Sequence, residues 1–459
     1  MFVARTDART AHATGVERLL SSYHGVPDGA PVRLAKPTSN LFRARTRTHV
    51  RGLDTSGLTG VLTIDPVSRT ADVSGMCTYE DLVAATLPLG LAPLVVPQLK
   101  TITVGGAVTG LGIESTSFRN GLPHESVLEM DVLTGAGEVL TVSRTENADL
   151  FHAFPNSYGT LGYAVRLTVE LEPVLPFVAL THRRFHSMPE LVAVMEGICQ
   201  TGALDGVTVD YLDGVVFSPS EGYLCLGFRT AAAGPVSDYT GRKIYYRSLQ
   251  HEAGVTGDRL TISDYLWRWD TDWFWCSEAF GAQHPLVRAL WPRRYRRSRT
   301  YSTLMTYEQR FQIGDRLEAL KGRPPRERVV QDVELPIERT VEFLDWFLDT
   351  VPIRPIWLCP LQLRSTDRWP LYPLQPGKSY VNVGFWSTVP VGTSEGETNR
   401  RIERRVAELD GHKSLYSDSY YSADEFDRLY GGETWRAVKQ RYDPNGRLLD
   451  LYAKAVQRQ

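Results

Sequence analysis

Cysteine is scarce in this chain of 459 residues, with only Cys77, Cys199, Cys225, Cys276 and Cys359, and no two of them form a CxxC pair. That spacing suggests neither a zinc site nor a disulfide framework, and it fits reduced core thiols in a cytoplasmic protein. An excess of one charge is missing too: 51 Lys and Arg stand against 53 Asp and Glu, a formal net charge of -2. A nucleic-acid binder would normally carry a strong basic excess, so DNA and RNA are excluded as partners. Long hydrophobic runs are also absent. The longest, residues 87–99, is interrupted by Pro88, Pro93 and Pro97 and falls short of the roughly 20 residues that span a bilayer. Residues 1–14 mix Arg, Asp, Thr and Ala without an apolar core, so no secretory signal is expected.

What remains is an ordinary globular composition, 42% hydrophobic and 23% charged, long enough for two domains that share a deep cleft. Residues 1–27 read as a variable lead-in, 28–175 as a first domain and 176–459 as a second. In the first, Thr78 is placed to cap a helix through Leu82, Val83 and Leu87 that stops at Pro88 and Gly90. Leu128, Met130 and Val132 alternate with acidic residues, and Gly135 and Gly137 turn the chain into Val139 and Val142, predicting a hairpin. Val165, Leu167, Val169 and Leu171 predict a half-buried strand ending at Pro173.

The texture then changes to strands separated by amphipathic helices, as in an α+β layer. Ser187 and Glu190 predict a capping box for a helix with Leu191, Val194, Met195 and Ile198 inward, ending at Gly202. A second helix follows Pro336, with Ile337, Val341, Leu344 and Leu348 inward. Strands are expected near 207–217, 223–228, 329–335, 356–363 and 380–386.

The most informative stretch is Thr103-Val104-Gly105-Gly106-Ala107-Val108-Thr109-Gly110-Leu111-Gly112-Ile113-Glu114-Ser115-Thr116-Ser117, with Gly121 beyond it. Glycines at this density let the backbone approach a ligand, and unpaired amides in such turns suit a pyrophosphate. The GxGxxG pattern fails at Ser115, and Leu111 occupies the lysine position of a P-loop. By itself the stretch is equally compatible with a tight structural turn.

The order of the pieces adds to it. Gly105-Gly106, Gly110-Leu111-Gly112, the hairpin over 127–142, Asn147-Ala148-Asp149-Leu150-Phe151 and Gly159-Thr160-Leu161-Gly162-Tyr163-Ala164-Val165 resemble the FAD domain of the vanillyl-alcohol oxidase and p-cresol methylhydroxylase (PCMH) superfamily. The resemblance implies an α+β protein with a PCMH-type FAD-binding domain, a substrate cap and a C-terminal segment returning to the flavin. It carries FAD contacts onto Val104, Gly105, Gly106, Gly110, Gly112, Ile113, Ser115, Ser117, Gly121, Gly162 and Val165. Many relatives bind flavin covalently through an earlier histidine. Here that region reads Lys36-Pro37-Thr38-Ser39-Asn40-Leu41-Phe42-Arg43, with no His or Cys, which implies non-covalent FAD and no metal.

Within that superfamily the chain is similar to the delta-24 sterol reductases. The likeness continues through Val329-Val330-Gln331-Asp332, Pro355-Ile356-Trp357-Leu358-Cys359-Pro360, Leu415-Tyr416-Ser417-Asp418-Ser419-Tyr420 and Glu425-Phe426. Without an apparent N-terminal membrane anchor, it looks more like actinobacterial relatives thought to reduce a 10-methylene fatty acyl chain of a phospholipid in tuberculostearic acid synthesis. The resemblance implies NADPH as electron donor, a lipid substrate, and a lipid methyltransferase as a conceivable partner. No second dinucleotide motif shows where a nicotinamide would bind.

Reduction of an isolated alkene needs a proton donor in an apolar pocket. Tyr265-Leu266-Trp267-Arg268-Trp269-Asp270-Thr271-Asp272-Trp273-Phe274-Trp275 gathers rings that could stabilise a carbocation, with Asp270 or Asp272 as a desolvated acid; it reads equally well as aromatic core. Tyr416 and Tyr420 are candidate donors in the segment implied to return to the flavin, with His412 and Lys413 beside them. Asp332 follows a strand run and either faces the cleft or, as the default for such a residue, is a surface carboxylate. The run Arg293-Arg294-Tyr295-Arg296-Arg297-Ser298-Arg299, following Trp291, is either a solvated loop or a contact to anionic lipid at the inner face of a membrane.

Overall fold

The computed structural model describes residues 3–4, 6–36, 42–43, 52–311, 316, 322 and 324–459. Most of the region examined for a flavin-linking histidine, residues 37–41, lies outside them. Among the described residues two large antiparallel sheets form the framework, with two small two-stranded pairs beside them. The first runs in the order Val3–Ala4, Val61–Asp65, Thr70–Ser74, Tyr163–Pro173, Val127–Leu133, Val139–Ser143, with Leu91–Pro93 also paired to Tyr163–Pro173. The segment before residue 28 thus contributes a strand to this sheet. It also supplies the helix Thr6–His24, whose Leu19 and Tyr23 are buried against it.

Alternation sets the faces. Leu167, Val169 and Leu171 point into the core, while Arg166 lies on the other face and binds Asp72, Glu129 and Asp131. Leu128 departs from the predicted pattern. It is the extra residue of a β-bulge between Val127 and Glu129, so Val127 is buried in its stead and Leu128 is exposed. The helix Tyr79–Thr86 starts where Thr78 accepts the Asp81 amide at 3.1 Å, a cap worth about 1 kcal/mol. The chain leaves its last turn at Gly90, in the left-handed region at φ 69°.

The second sheet has eight strands in the order Val255–Thr261, Phe177–Phe185, Glu221–Thr230, Tyr211–Ser218, Ile356–Gln362, Ser379–Pro390, Arg326–Pro336, His412–Lys413. On one face the helices Met188–Thr201 and Ile337–Thr350 pack over Val329, Val333, Leu335, Leu358, Val381, Val383 and Phe385. Ser187 caps the first helix by accepting the Glu190 amide, while Val194 and Val341, expected inward, are only half-buried. The opposite face carries Trp357, Cys359, Leu361, Tyr380 and Trp386 into the core shared with the first sheet. It also carries Asp213, Asp332 and Glu334. After Lys413 the chain leaves the sheet edge, and its last helices return to the first domain: Trp435 Nε1 donates to Thr160 Oγ1 at 3.0 Å, and Arg441 pairs with Asp149. Among the described residues no helix is long and apolar enough to cross a membrane.

Candidate functional site

The glycine stretch is a helix before it is a loop. Residues Val104–Gly110 are helical, with Thr103 Oγ1 accepting the Gly106 amide at 3.1 Å. The Val104 amide donates to Cys77 O and the Gly105 amide to Gly75 O, so the amides expected to be open at this end are spent. A Cβ on Gly105 would lie 2.7 Å from Gly75 O; glycine is required because the helix sits directly on the end of a strand. Leu111, at φ 66°, ends the helix.

The following amides, Gly112 and Ile113, donate to no acceptor among the described residues, and both residues are half-exposed. Beside them Pro97 lies against Gly112, and the buried Gln98 Nε2 and Ser157 Oγ have no partner. Tyr158 closes the same corner, donating its hydroxyl to Gly110 O at 2.8 Å. Further along, Ser115 Oγ bonds Tyr265 OH at 3.0 Å, Ser117 Oγ accepts the Glu114 amide at 3.1 Å, and Gly121 closes a short helix onto Ser117 O. These side chains tie the stretch to its own turn and to the cap. Gly162 has φ +147°, and a Cβ there would lie 2.5 Å from Val132 Cγ1. Val165 is the bulged residue between Ala164 and Arg166, out of register with the strand Val127–Leu133, while its carbonyl accepts the Gly75 amide at 2.7 Å. Open amides at Gly112 and Ile113, orphaned polar atoms beside them and a bulged backbone at Val165 fit a dinucleotide such as FAD.

Facing this corner, the cap sheet presents two carboxyl groups. Asp332 and Glu334 are two residues apart on one strand and so share a face. Asp332 is half-buried rather than at the surface. It accepts Asn382 Nδ2 at 3.0 Å, and burial pushes its carboxyl up to about 6, against the lowering effect of its hydrogen bonds from Asn382 and Tyr416. Glu334 is fully buried, with Oε1 accepting Ser414 Oγ at 3.1 Å and Oε2 unpartnered. Burial, then the neighbouring Asp332 charge, holds it well above the usual carboxylate range. Neither is ion-paired among the described residues. Tyr416 joins them, its hydroxyl accepting Trp386 Nε1 at 2.8 Å, with its own ionisation pushed far up by burial and by Asp332. Arg43 donates to Leu415 O and stacks over Tyr158 at 5.3 Å, linking the two domains.

The tryptophan-rich stretch serves two ends. Phe274 lies 4.4 Å from Trp386, and Trp273 lies 5.3 Å from Phe42, whose ring meets Tyr416 at 5.8 Å, so these rings wall the carboxyl corner. Its acids are occupied elsewhere. Asp270 accepts the Lys100 amide at 2.9 Å together with Ser298 Oγ, and Asp272 is paired with Arg288. Burial raises both carboxyls, yet each is enclosed by donors that fasten the insertion to its surroundings.

The C-terminal candidates also separate. Tyr420 sits away from Tyr416, beside Arg400 and Arg458 in a shallow hollow. Lys413 is buried against Glu403 at 2.6 Å. His412 packs against Tyr372 and Tyr430, and burial lowers it to about 3, which makes it a neutral core ring. Glu334, Asn382, Trp386, Tyr158 and Arg43 were not singled out from the sequence. The usable signal was Val329-Val330-Gln331-Asp332-Val333-Glu334-Leu335: in a strand buried on both faces, alternate carboxyls must point into the protein.

A third buried group joins the domains. Arg268, with no exposed side-chain surface, donates to Glu114 Oε1 and Asp213 Oδ2, each at 2.8 Å, and its guanidinium lies 4.1 Å from the Tyr265 ring centre. Trp357 Nε1 adds a bond to Asp213 at 3.1 Å. Glu114, in the glycine-rich stretch, therefore docks the cap.

Residues 28–143 match the family described as FAD binding domain. Over 439 residues the chain is 26% identical to the Delta(24)-sterol reductase of Arabidopsis thaliana, covering 88% of this chain and 76% of that protein. Over 420 residues it is 25% identical to the Delta(24)-sterol reductase of Homo sapiens, covering 86% and 76%. A shorter stretch of 161 residues is 30% identical to cytokinin dehydrogenase 2 of Oryza sativa subsp. japonica, covering 34% of this chain and 28% of that protein. The chain thus carries an FAD-binding domain in a two-domain α+β fold, and its similarity to the Delta(24)-sterol reductases extends across both domains.

Proposed function

We propose that this protein is an FAD-dependent reductase of an isolated carbon–carbon double bond in a lipid, with a 10-methylene fatty acyl chain of a phospholipid as substrate and NADPH as reductant. The observation that carries the reading is the placement of Asp332, a carboxyl raised to about 6 on the cap face opposite the Gly110–Ile113 corner. An unactivated alkene has no carbonyl to polarise, so protonation must come from a positioned acid kept neutral by burial.

The residues present would divide the work as follows. The amides of Gly112 and Ile113 would hold the diphosphate of FAD, and the Val165 backbone its adenine end. FAD, once reduced, supplies hydride to the more substituted alkene carbon. Asp332 delivers the proton to the less substituted one, leaving a saturated C–C bond. Tyr416 bonds to Asp332 and Trp386 and so orients the carboxyl. Trp386, Phe42, Trp273 and Phe274 exclude water, and their ring faces stabilise positive charge developing at the tertiary carbon. Glu334, held neutral by burial and by the neighbouring Asp332 charge, adds no second negative charge to the corner.

A second reading, reduction of a sterol side-chain alkene, is supported by the similarity to the Delta(24)-sterol reductases. The test is anaerobic bleaching of the flavin by NADPH, followed by addition of a 10-methylene-stearoyl phospholipid or desmosterol. Reoxidation by the phospholipid supports the first reading, and by desmosterol the second. A flavin that neither lipid reoxidises but air and an alcohol do would make the protein an oxidase and overturn both.

A further inference from the structure

The helix Pro285–Leu290 is turned inside out. Its arginine, Arg288, is buried, donating to Asp272 and to the carbonyls of Tyr239, Gly241 and Lys243. Its leucines face out: Leu286 is 71% exposed and Leu290 85%. Spaced four residues apart, they share one side of the helix. Of the twelve large apolar side chains exposed among the described residues, Leu286, Val287, Leu290 and Tyr295 fall within ten positions, whereas scattered single exposures are what a soluble surface normally shows.

The flank of this ridge is basic. Arg296 donates to Thr240 O and Gly241 O, which brings the turn carrying Arg242 and Lys243 against Arg293 and Arg294. All four of these cations are exposed, and only Arg293 has an ion-pair partner among the described residues, Asp238 at 3.0 Å. The arginine run expected as a loop or lipid contact is thereby divided. Arg296 is buried, Arg297 pairs with Glu80 at 2.7 Å, and Trp291 packs half-buried on Tyr301; Arg293 and Arg294 are the exposed part of the run beside the leucines, and Arg299, also exposed, belongs to the helix Ser298–Phe311.

Inward from the ridge a series of ring contacts continues from Trp291 to Tyr301, Trp273, Phe42 and Tyr416. The exposed ridge therefore lies at the outer end of the aromatic packing that borders Asp332.

We propose that this ridge docks on an anionic phospholipid bilayer, with Leu286 and Leu290 inserted below the headgroups and Arg242, Lys243, Arg293 and Arg294 on their phosphates. Apolar residues at the tip with cations on the flank are the arrangement an interfacial anchor needs, because insertion and attraction to negative lipid then act together. Such docking places the protein at a membrane surface whatever alkene it reduces.

The test is flotation of the FAD-loaded full chain with vesicles of phosphatidylcholine alone and with about 30% phosphatidylglycerol added. Binding to the anionic vesicles, weakened by salt, is expected. Leu286→Ser with Leu290→Ser should reduce partitioning on the order of tenfold or more at any salt concentration, with an unchanged flavin spectrum. Lys243→Gln and Arg294→Gln should each cost roughly fivefold, most strongly at low salt. Equal binding to both vesicle types, or binding untouched by the leucine pair, would overturn the proposal. So would a dimer in sedimentation that the leucine pair abolishes without any vesicle binding, since the ridge would then seat a second copy.

Discussion

Two groups of carboxyls meet the same face of the cap sheet, one through Asp213 with Glu114 of the first domain and the other through Asp332 and Glu334, and they are handled in opposite ways. Glu114 and Asp213 share one fully buried guanidinium, that of Arg268, at 2.8 Å each. Asp332 and Glu334 have neutral donors, among them Asn382, Tyr416 and Ser414, and both carboxyls are raised. The first group behaves as a rivet between the domains: its charges are paired, and its geometry is fixed by the ring of Tyr265 and the indole of Trp357. The second is electrostatically incomplete, which a fold would not select for packing. Burial without a counter-ion keeps a carboxylic acid protonated, which is the state a proton donor requires.

The sharpest way to break the contrast is at Asp332. Asp332→Asn keeps the size and the hydrogen bonding but removes the transferable proton. Substrate-driven flavin reoxidation should fall about 100- to 10,000-fold, while FAD absorbance stays as in the wild type. Stability should respond in the other direction. A raised carboxyl contributes stability in its neutral form, and that contribution is lost as pH rises from the ordinary value of 3.8 through about 6. The Asn variant lacks this loss, so its urea midpoint at neutral pH should equal or exceed that of the wild type.

Arg268→Met attacks the other group. It strands two carboxylates in the interior, and unfolding free energy should drop by about 3–5 kcal/mol, read by denaturant titration. A loss as small as that of a surface substitution would show that the triad does not fasten the domains.

Tyr416→Phe sharpens the contrast more gently. The lost hydroxyl should cost about tenfold in turnover. It should also move the alkaline decline of the rate to higher pH, because the Tyr416 hydrogen bond now lowers the Asp332 value. A purely structural tyrosine would change the rate without moving the profile. Ser187→Ala, at a helix cap on the far face of the sheet, is the control: about 1 kcal/mol of stability and an unaltered pH profile.

Much of this architecture was legible because it rests on local rules. Alternation located the strand Tyr163–Pro173, and side-chain caps located the helices starting after Thr78 and Ser187. Leu128 escaped because a bulge depends on the register of the partner strand, not on the residue's neighbours. Within the site, glycine density at 105–112 marked the correct region and misjudged its form. Half of it is a helix whose amides are spent, since closeness to Gly75 is invisible in one dimension. Asp270 and Asp272 looked like acids because of the rings around them, but Ser298 and Arg288, which satisfy them, come from the next stretch of chain. Glu334 and Asn382 became visible only when sheet pairing set one strand beside the other.

The most direct test of the account mixes anaerobically reduced protein with a 10-methylene-stearoyl phospholipid and follows flavin reoxidation against pH in wild type and Asp332→Asn. The account predicts rapid reoxidation in the wild type, declining as pH rises above about 6, and in the variant a rate at least about 100-fold lower at pH 6 and below, without that decline. Equal rates in the two proteins would contradict the assignment of Asp332 as the proton donor.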